Sequence, residues 1–171
     1  MNSPHKFKKI MIFGRPGSGK STFAYELAVK TGLPLYHLDK YFFVSGWIER
    51  DAQEFKQIQE QIIMGERWII DGNSVRTLED RWSKADLVLY FNYGRFICLI
   101  RLLKRLFSKS IVIDDRASGC PEEMRIRLIK YMWTFENRVR DKINELISKY
   151  PATTFIEINS DEDLKLIEAM R

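Results

Sequence analysis

The octapeptide Gly14-Arg15-Pro16-Gly17-Ser18-Gly19-Lys20-Ser21 fits the pattern G-x-x-x-x-G-K-[ST] at every fixed position. Glycines at these spacings let the backbone curl until successive N–H groups point inward at an anion. A helix opening near Lys20 adds the positive end of its dipole. Lys20 supplies a mobile charge for β- and γ-phosphates, and Ser21 a hydroxyl ligand for Mg²⁺. Pro16, Ser18 and Thr22 belong to the same lining. The chemistry expected of this stretch is the holding of a nucleoside triphosphate, ATP with Mg²⁺. The plainer reading, a glycine loop that only turns the chain, is the less favoured one.

Two aspartates close short apolar segments further along. Asp71 follows Arg67-Trp68-Ile69-Ile70, and a carboxylate at that place suits an outer-shell magnesium partner of Ser21. Asp39 follows Leu33-Pro34-Leu35-Tyr36-His37-Leu38. It suits either a functional role, binding Mg²⁺ through water or taking the proton of a substrate hydroxyl, or a turn role, capping the next segment. His37 reads as structural. Cys98 reads as a small buried hydrophobe and Cys120 as loop structure.

These residues need elements to position them. Lys8–Phe13 is a short apolar run stopped by glycine, and a helical pattern follows from Lys20 to about Lys30, ended by Gly32. Further strands are expected at 33–38, 67–70, 86–91 and 153–158. Helices are expected at 51–65 with Asp51 as N-cap, at 75–83, at 94–107, from Pro121 to about 149, and after Asp161 as cap. Met124, Leu128, Tyr131, Phe135, Val139, Ile143 and Leu146 form one apolar stripe on the long helix. Short apolar strands alternating with helices predict a parallel sheet covered on both faces. Ligands of such sheets bind at the carboxyl ends of the strands, where Gly14, Asp39 and Asp71 converge.

Composition sets outer bounds. The 171 residues are 45% hydrophobic and 30% charged, which excludes a disordered or fibrous chain and fits a single domain. No apolar run approaches the length of a membrane span, and the first residues lack the pattern of a signal peptide. Two cysteines support neither a disulfide framework nor a zinc site, so a reduced, cytoplasmic protein is expected. The net charge of +5 is concentrated: 12 basic and 6 acidic residues lie between Arg95 and Lys142. That stretch therefore faces something anionic, nucleic acid or a nucleotide's phosphates.

Gly14 to Ser21, His37-Leu38-Asp39-Lys40, Gly46-Trp47, Arg67 to Asn73, Arg76-Thr77-Leu78 and Gly119-Cys120-Pro121-Glu122 together resemble the bacterial DNA topology modulation proteins, and through them the adenylate kinase-related P-loop kinases. The resemblance implies a three-layer α/β/α P-loop NTPase fold of nucleoside monophosphate kinase type. Its five-stranded parallel sheet would have the order 2-3-1-4-5, with an acceptor-binding insertion at about 40–65 and a short lid at about 107–120. It implies acceptor contacts by Arg76 and Arg50 with Asp39 nearby. It further implies catalytic arginines on the lid side, Arg101 and Arg105 four apart on one helix face and Arg116 reaching over the phosphates. Ser160, after the fifth strand, would lie beside the adenine. Trp47 reads as local aromatic packing or as a stacking partner of an acceptor base.

No guanine-reading Asn-Lys-x-Asp occurs, and Asp71 is followed by Gly72 where hydrolytic motors place a glutamate. The reading favoured is ATP-dependent phosphoryl transfer to a nucleotide or other small acceptor, with no membrane partner. The alternative is a nucleic-acid-binding or regulatory P-loop ATPase affecting DNA topology.

Overall fold

The computed structural model describes residues 7–107, 117–120 and 126–169. Arg116, the Asp114–Asp115 pair, most of the expected lid and the expected helix start at Pro121 with Met124 lie outside the described residues.

Five parallel strands make the central sheet: β1 Lys9–Gly14, β2 Leu35–His37, β5 Trp68–Asp71, β6 Leu87–Phe91 and β7 Thr154–Ile158. The order is β2-β5-β1-β6-β7, which is the expected 2-3-1-4-5 once a separate two-stranded hairpin is counted. That hairpin, β3 Phe43–Val44 against β4 Ile48–Glu49, was not expected from the sequence. Two-residue strands carry no alternation to read. Its turn, Ser45–Trp47, holds both Gly46 and Trp47 at positive φ.

β1 is the centre of the sheet, with Ile10 through Phe13 at most 3% exposed, because it is paired on both edges and covered on both faces. Successive side chains of a strand point to opposite faces. Ile10 and Ile12 accordingly join the layer of α1 (Lys20–Thr31), α5 (Arg95–Phe107) and α7 (Asp161–Ala169), packing with Phe23, Leu27, Leu102 and Ile167. Met11 and Phe13 face α3 (Ala52–Ile63), α4 (Leu78–Trp82) and α6 (Ile126–Lys149), among Phe55, Trp82, Phe135 and Val139. The result is three layers with a core on each side of the sheet.

Local signals explain most boundaries. Asp51 caps α3, its Oδ1 accepting from the Gln53 and Glu54 N–H groups at 2.9 and 3.1 Å. Gly32 closes α1 by donating to the Ala28 carbonyl at 2.8 Å. Two expectations are corrected. Asp39 does not close a strand: β2 stops at His37, and Asp39 lies in the first turn of a short helix, α2 (Leu38–Phe42). Ser160, not Asp161, caps α7, since the Asp163 N–H donates to Ser160 Oγ at 3.2 Å and Asp163 Oδ2 accepts from the Ser160 N–H at 3.0 Å. This is a reciprocal capping box. Among the described residues no helix is long and apolar enough to cross a membrane.

Candidate functional site

The glycine loop spans the end of β1 and the start of α1 at the carboxyl rim of the sheet. It is held from behind. The Gly14 N–H donates to Asn73 Oδ1 at 2.9 Å, the Arg15 N–H to the Phe91 carbonyl at 2.9 Å, and the Ser18 N–H to the Arg15 carbonyl at 3.1 Å. The N–H groups of Gly17, Gly19, Lys20 and Ser21 are left without an acceptor among the described residues. Such a row of unpaired donors at a helix start is what an anion uses. Gly17 cannot be replaced without disturbing the cradle: its φ is +82°, and a Cβ there would stand 2.5 Å from the Cys98 carbonyl oxygen of α5.

Asp71, the last residue of β5, is 4% exposed. Its Oδ2 meets His37 Nδ1 at 2.9 Å, and its Oδ1 is buried without a hydrogen-bond partner. Burial pushes the carboxyl up, but Lys20, His37 and Ser21 around it hold it below the ordinary carboxylate range. An ionised, buried oxygen with no partner, beside a lysine and a serine hydroxyl, is a donor set a hard divalent cation fits. The expected grouping of Lys20, Ser21 and Asp71 is therefore brought together at one place.

The other expected residues are distributed as follows. Asp39 is exposed in α2 and faces Tyr131 of α6, whose phenol is pushed up to about 12 by burial and by the Asp39 charge. Arg76 is exposed on the loop between β5 and α4. Arg50 donates from Nε to the Tyr41 carbonyl at 2.7 Å and pairs with Glu54. It lines, with Lys40, Phe43, Ser45 and Ser118, an open cavity of about 630 Å³ between the hairpin and residues 117–118. Thr22 is exposed at the start of α1, and Pro16 and Ser18 are buried in the loop, the Ser18 Oγ without a partner.

Arg101 is placed against the loop: Nη1 donates to the Ser18 carbonyl at 3.0 Å, and Nη2 pairs with Asp161 at 2.9 Å. Its guanidinium lies 4.6 Å from the Tyr93 ring centre. Arg105, one turn on, is exposed. Ser160 has its hydroxyl in the α7 cap. Trp47 stands edge-on to Phe43, which stands edge-on to Phe42 and through it reaches Phe55, so the local-packing reading describes its surroundings.

Two arginines that sequence reasoning passed over organise the site. Arg15 is 2% exposed; it donates from Nη1 to the Met132 carbonyl at 2.8 Å and from Nη2 to Asn92 Oδ1 and Glu136 Oε2, both at 3.1 Å. Arg81, fully buried, donates to the Gly72, Ser74 and Thr77 carbonyls and so ties down the loop that carries Asn73 and Arg76. Burial lowers its pKa to about 10, which leaves it charged. Neither has a sequence signal, because a lone arginine reads as surface.

No protein-family model and no curated protein matches the chain. Solved structures do. It is similar to a shikimate kinase from Acinetobacter baumannii in complex with shikimate, at 14% identity and TM-score 0.56, over 96% of this chain and 93% of that one. A shikimate kinase from Bacteroides thetaiotaomicron gives 14% identity and TM-score 0.57 over 96% and 98%. A deoxyadenosine kinase from M. mycoides, bound to dCMP and dCDP, gives 14% and 0.51 over 94% and 96%. At such identities the likeness shows the fold: a three-layer α/β/α P-loop NTPase.

Proposed function

We propose that this chain is a P-loop kinase that transfers the γ-phosphoryl group of ATP to a small-molecule acceptor. The observation that carries the reading is the row of unpaired loop N–H groups at the sheet rim together with Lys20 and Ser21 beside the buried, ionised Asp71. The kinase folds of the structural neighbours, and the resemblance to the DNA topology modulation proteins, point the same way.

The loop amides and Lys20 hold the donor's phosphates, and Ser160 lies toward its base. Ser21 and Asp71 would hold Mg²⁺, which when bound neutralises charge on the β- and γ-phosphates. The acceptor enters at the cavity beside the hairpin, contacted by Arg50 and Arg76. Its hydroxyl oxygen bonds to the γ-phosphorus as the bond to the β–γ bridging oxygen breaks, ADP departs, and the hydroxyl proton passes to the Asp39 carboxylate. Arg101 braces the loop through Ser18, while Arg105 and Arg116 meet the developing charge.

The basic stretch favours this reading over nucleic-acid binding. Among its described residues Arg101 pairs with Asp161, Arg127 with Glu49, Arg140 with Glu136 and Glu157, and Lys142 with Glu79 and Glu145. Cations already paired within the chain offer less to a phosphate backbone.

The test is a panel of nucleotides, nucleosides and hydroxylated metabolites with γ-labelled ATP. Saturable transfer to one of them is expected, and Lys20→Ala is expected to abolish it with an unchanged melting temperature. Full activity of a normally folded Lys20→Ala chain, or tight duplex-DNA binding that falls steeply with salt and no transfer at all, would overturn the proposal.

A further inference from the structure

We infer that His37 is a positioning residue for the metal-side carboxylate: by donating from Nδ1 to Asp71 Oδ2 it fixes the rotation of that carboxylate and leaves Oδ1 available to the ion beside Ser21. The inference rests on the reading of residues 14–21 as a MgATP cradle.

The sheet itself makes the pair. His37 and Asp71 are partners in the β2–β5 register, the last pair before both strands end. Partners in a parallel register present their side chains on the same face. Both residues are buried, at 7% and 4% exposure, and Nδ1 and Oδ2 are 2.9 Å apart.

The backbone around Asp71 has little freedom. The following Gly72 donates to the Ile12 carbonyl at 3.0 Å, and its own carbonyl accepts from Arg81 Nη1 at 3.0 Å. Leu38, next after His37, is packed so closely that a Cβ on Gly72 would lie 2.5 Å from the Leu38 Cβ. What remains free is rotation of the carboxylate about its side-chain bonds. Two outcomes compete for it. Lys20 is near enough to help keep the group ionised, so an unrestrained carboxylate can turn onto the ammonium and withdraw both charges from the phosphates. The imidazole prevents this by holding one oxygen, and the buried, partnerless Oδ1 is the atom left over. A buried histidine that merely filled space would leave both oxygens equivalent.

The experiment compares wild type, His37→Asn, which keeps a donor nitrogen near the Nδ1 position, and His37→Leu, which keeps bulk and removes the donor. Calorimetry measures ATP affinity in EDTA and at saturating magnesium, and melting is recorded for each chain. In His37→Leu the gain in affinity due to magnesium is expected to fall by about tenfold or more, the size typical when a ligand's orienting partner is lost. Its affinity in EDTA should stay near that of wild type, and His37→Asn should keep most of the gain. If His37→Leu does not melt cooperatively, His37→Met, which likewise lacks a donor, replaces it with the same expectation. A magnesium gain in the donor-less variant equal to wild type, or an equal loss in His37→Asn, overturns the role of His37 alone. A wild-type chain that takes up no ATP under either condition overturns the cradle reading, and this inference with it.

Discussion

Arg15 occupies a variable position of the glycine loop, yet its guanidinium is spent on α6 and on Asn92 just after β6. Arg15→Ala therefore tests whether the loop is held in place from the far side of the fold. Three charge-assisted bonds are lost, each with a net value of roughly 1.5–3 kcal/mol, together with the packing of a buried stem. Several terms reduce the sum. Glu136 keeps its bond to Arg140, so no buried carboxylate is stranded. Asn92 keeps its bond to Glu157, and the partnerless Arg15 Nε disappears with the side chain. The net cost expected is about 2–4 kcal/mol, a fall in melting temperature on the order of 10 °C for a chain of this size. The assay is urea unfolding followed by tryptophan fluorescence, with ATP affinity measured on the folded variant. Because the Arg15 N–H bond to the Phe91 carbonyl survives, affinity should change far less than stability. A variant as stable as wild type, or one that melts normally but loses ATP binding about a hundredfold, would show that Arg15 faces the ligand and that this reasoning is wrong.

Two further outcomes are expected. Trp82 is fully buried, its ring centre 5.4 Å from that of Phe155 in a stack and 6.2 Å from that of Phe13. Trp82→Ala should cost about 3–5 kcal/mol in a denaturant titration and leave ATP affinity unaltered. Glu79 of α4 binds Lys142 and Lys149 of α6, and these bonds lower its pKa from 4.5 to about 2. A carboxylate depressed on folding stabilises above its ordinary pKa and loses that contribution as pH falls toward the depressed value. The urea midpoint should therefore decline between about pH 4.5 and pH 2 by an amount that Glu79→Gln removes; an unchanged acid slope in that variant would refute the clamp.

The parts of this molecule visible in the sequence are those with a period or a motif. The buried strands show as apolar runs, α3 shows through Asp51 and its helical spacing, and the cradle shows through its glycines, lysine and serine. The strand order came from a family resemblance, since apolar runs specify that strands pair and not which ones. What escaped is of a different physical kind. Phe43–Val44 and Ile48–Glu49 are too short to alternate, so the hairpin bordering the cavity left no trace. Arg15 and Arg81 are buried cations satisfied by carbonyls and side chains far away in sequence, and composition places such residues outside. His37 reads as structural in the sequence because only the register of β2 against β5 reveals what it touches. Asp39 reads as a strand end because nothing in the run Leu35 to Phe43 marks where extended chain gives way to the single turn of α2.

The brace on Arg15 has a bearing on how the protein is made. The glycine loop leaves the ribosome well before the carbonyl and carboxylate that steady it from behind, which lie 117 and 121 residues downstream. Contacts this remote form slowly, since a long loop must close before they reward it. A nascent chain thus carries its glycine loop long before the helix that braces it; on the proposed reading, ATP would stabilise the finished fold rather than start it.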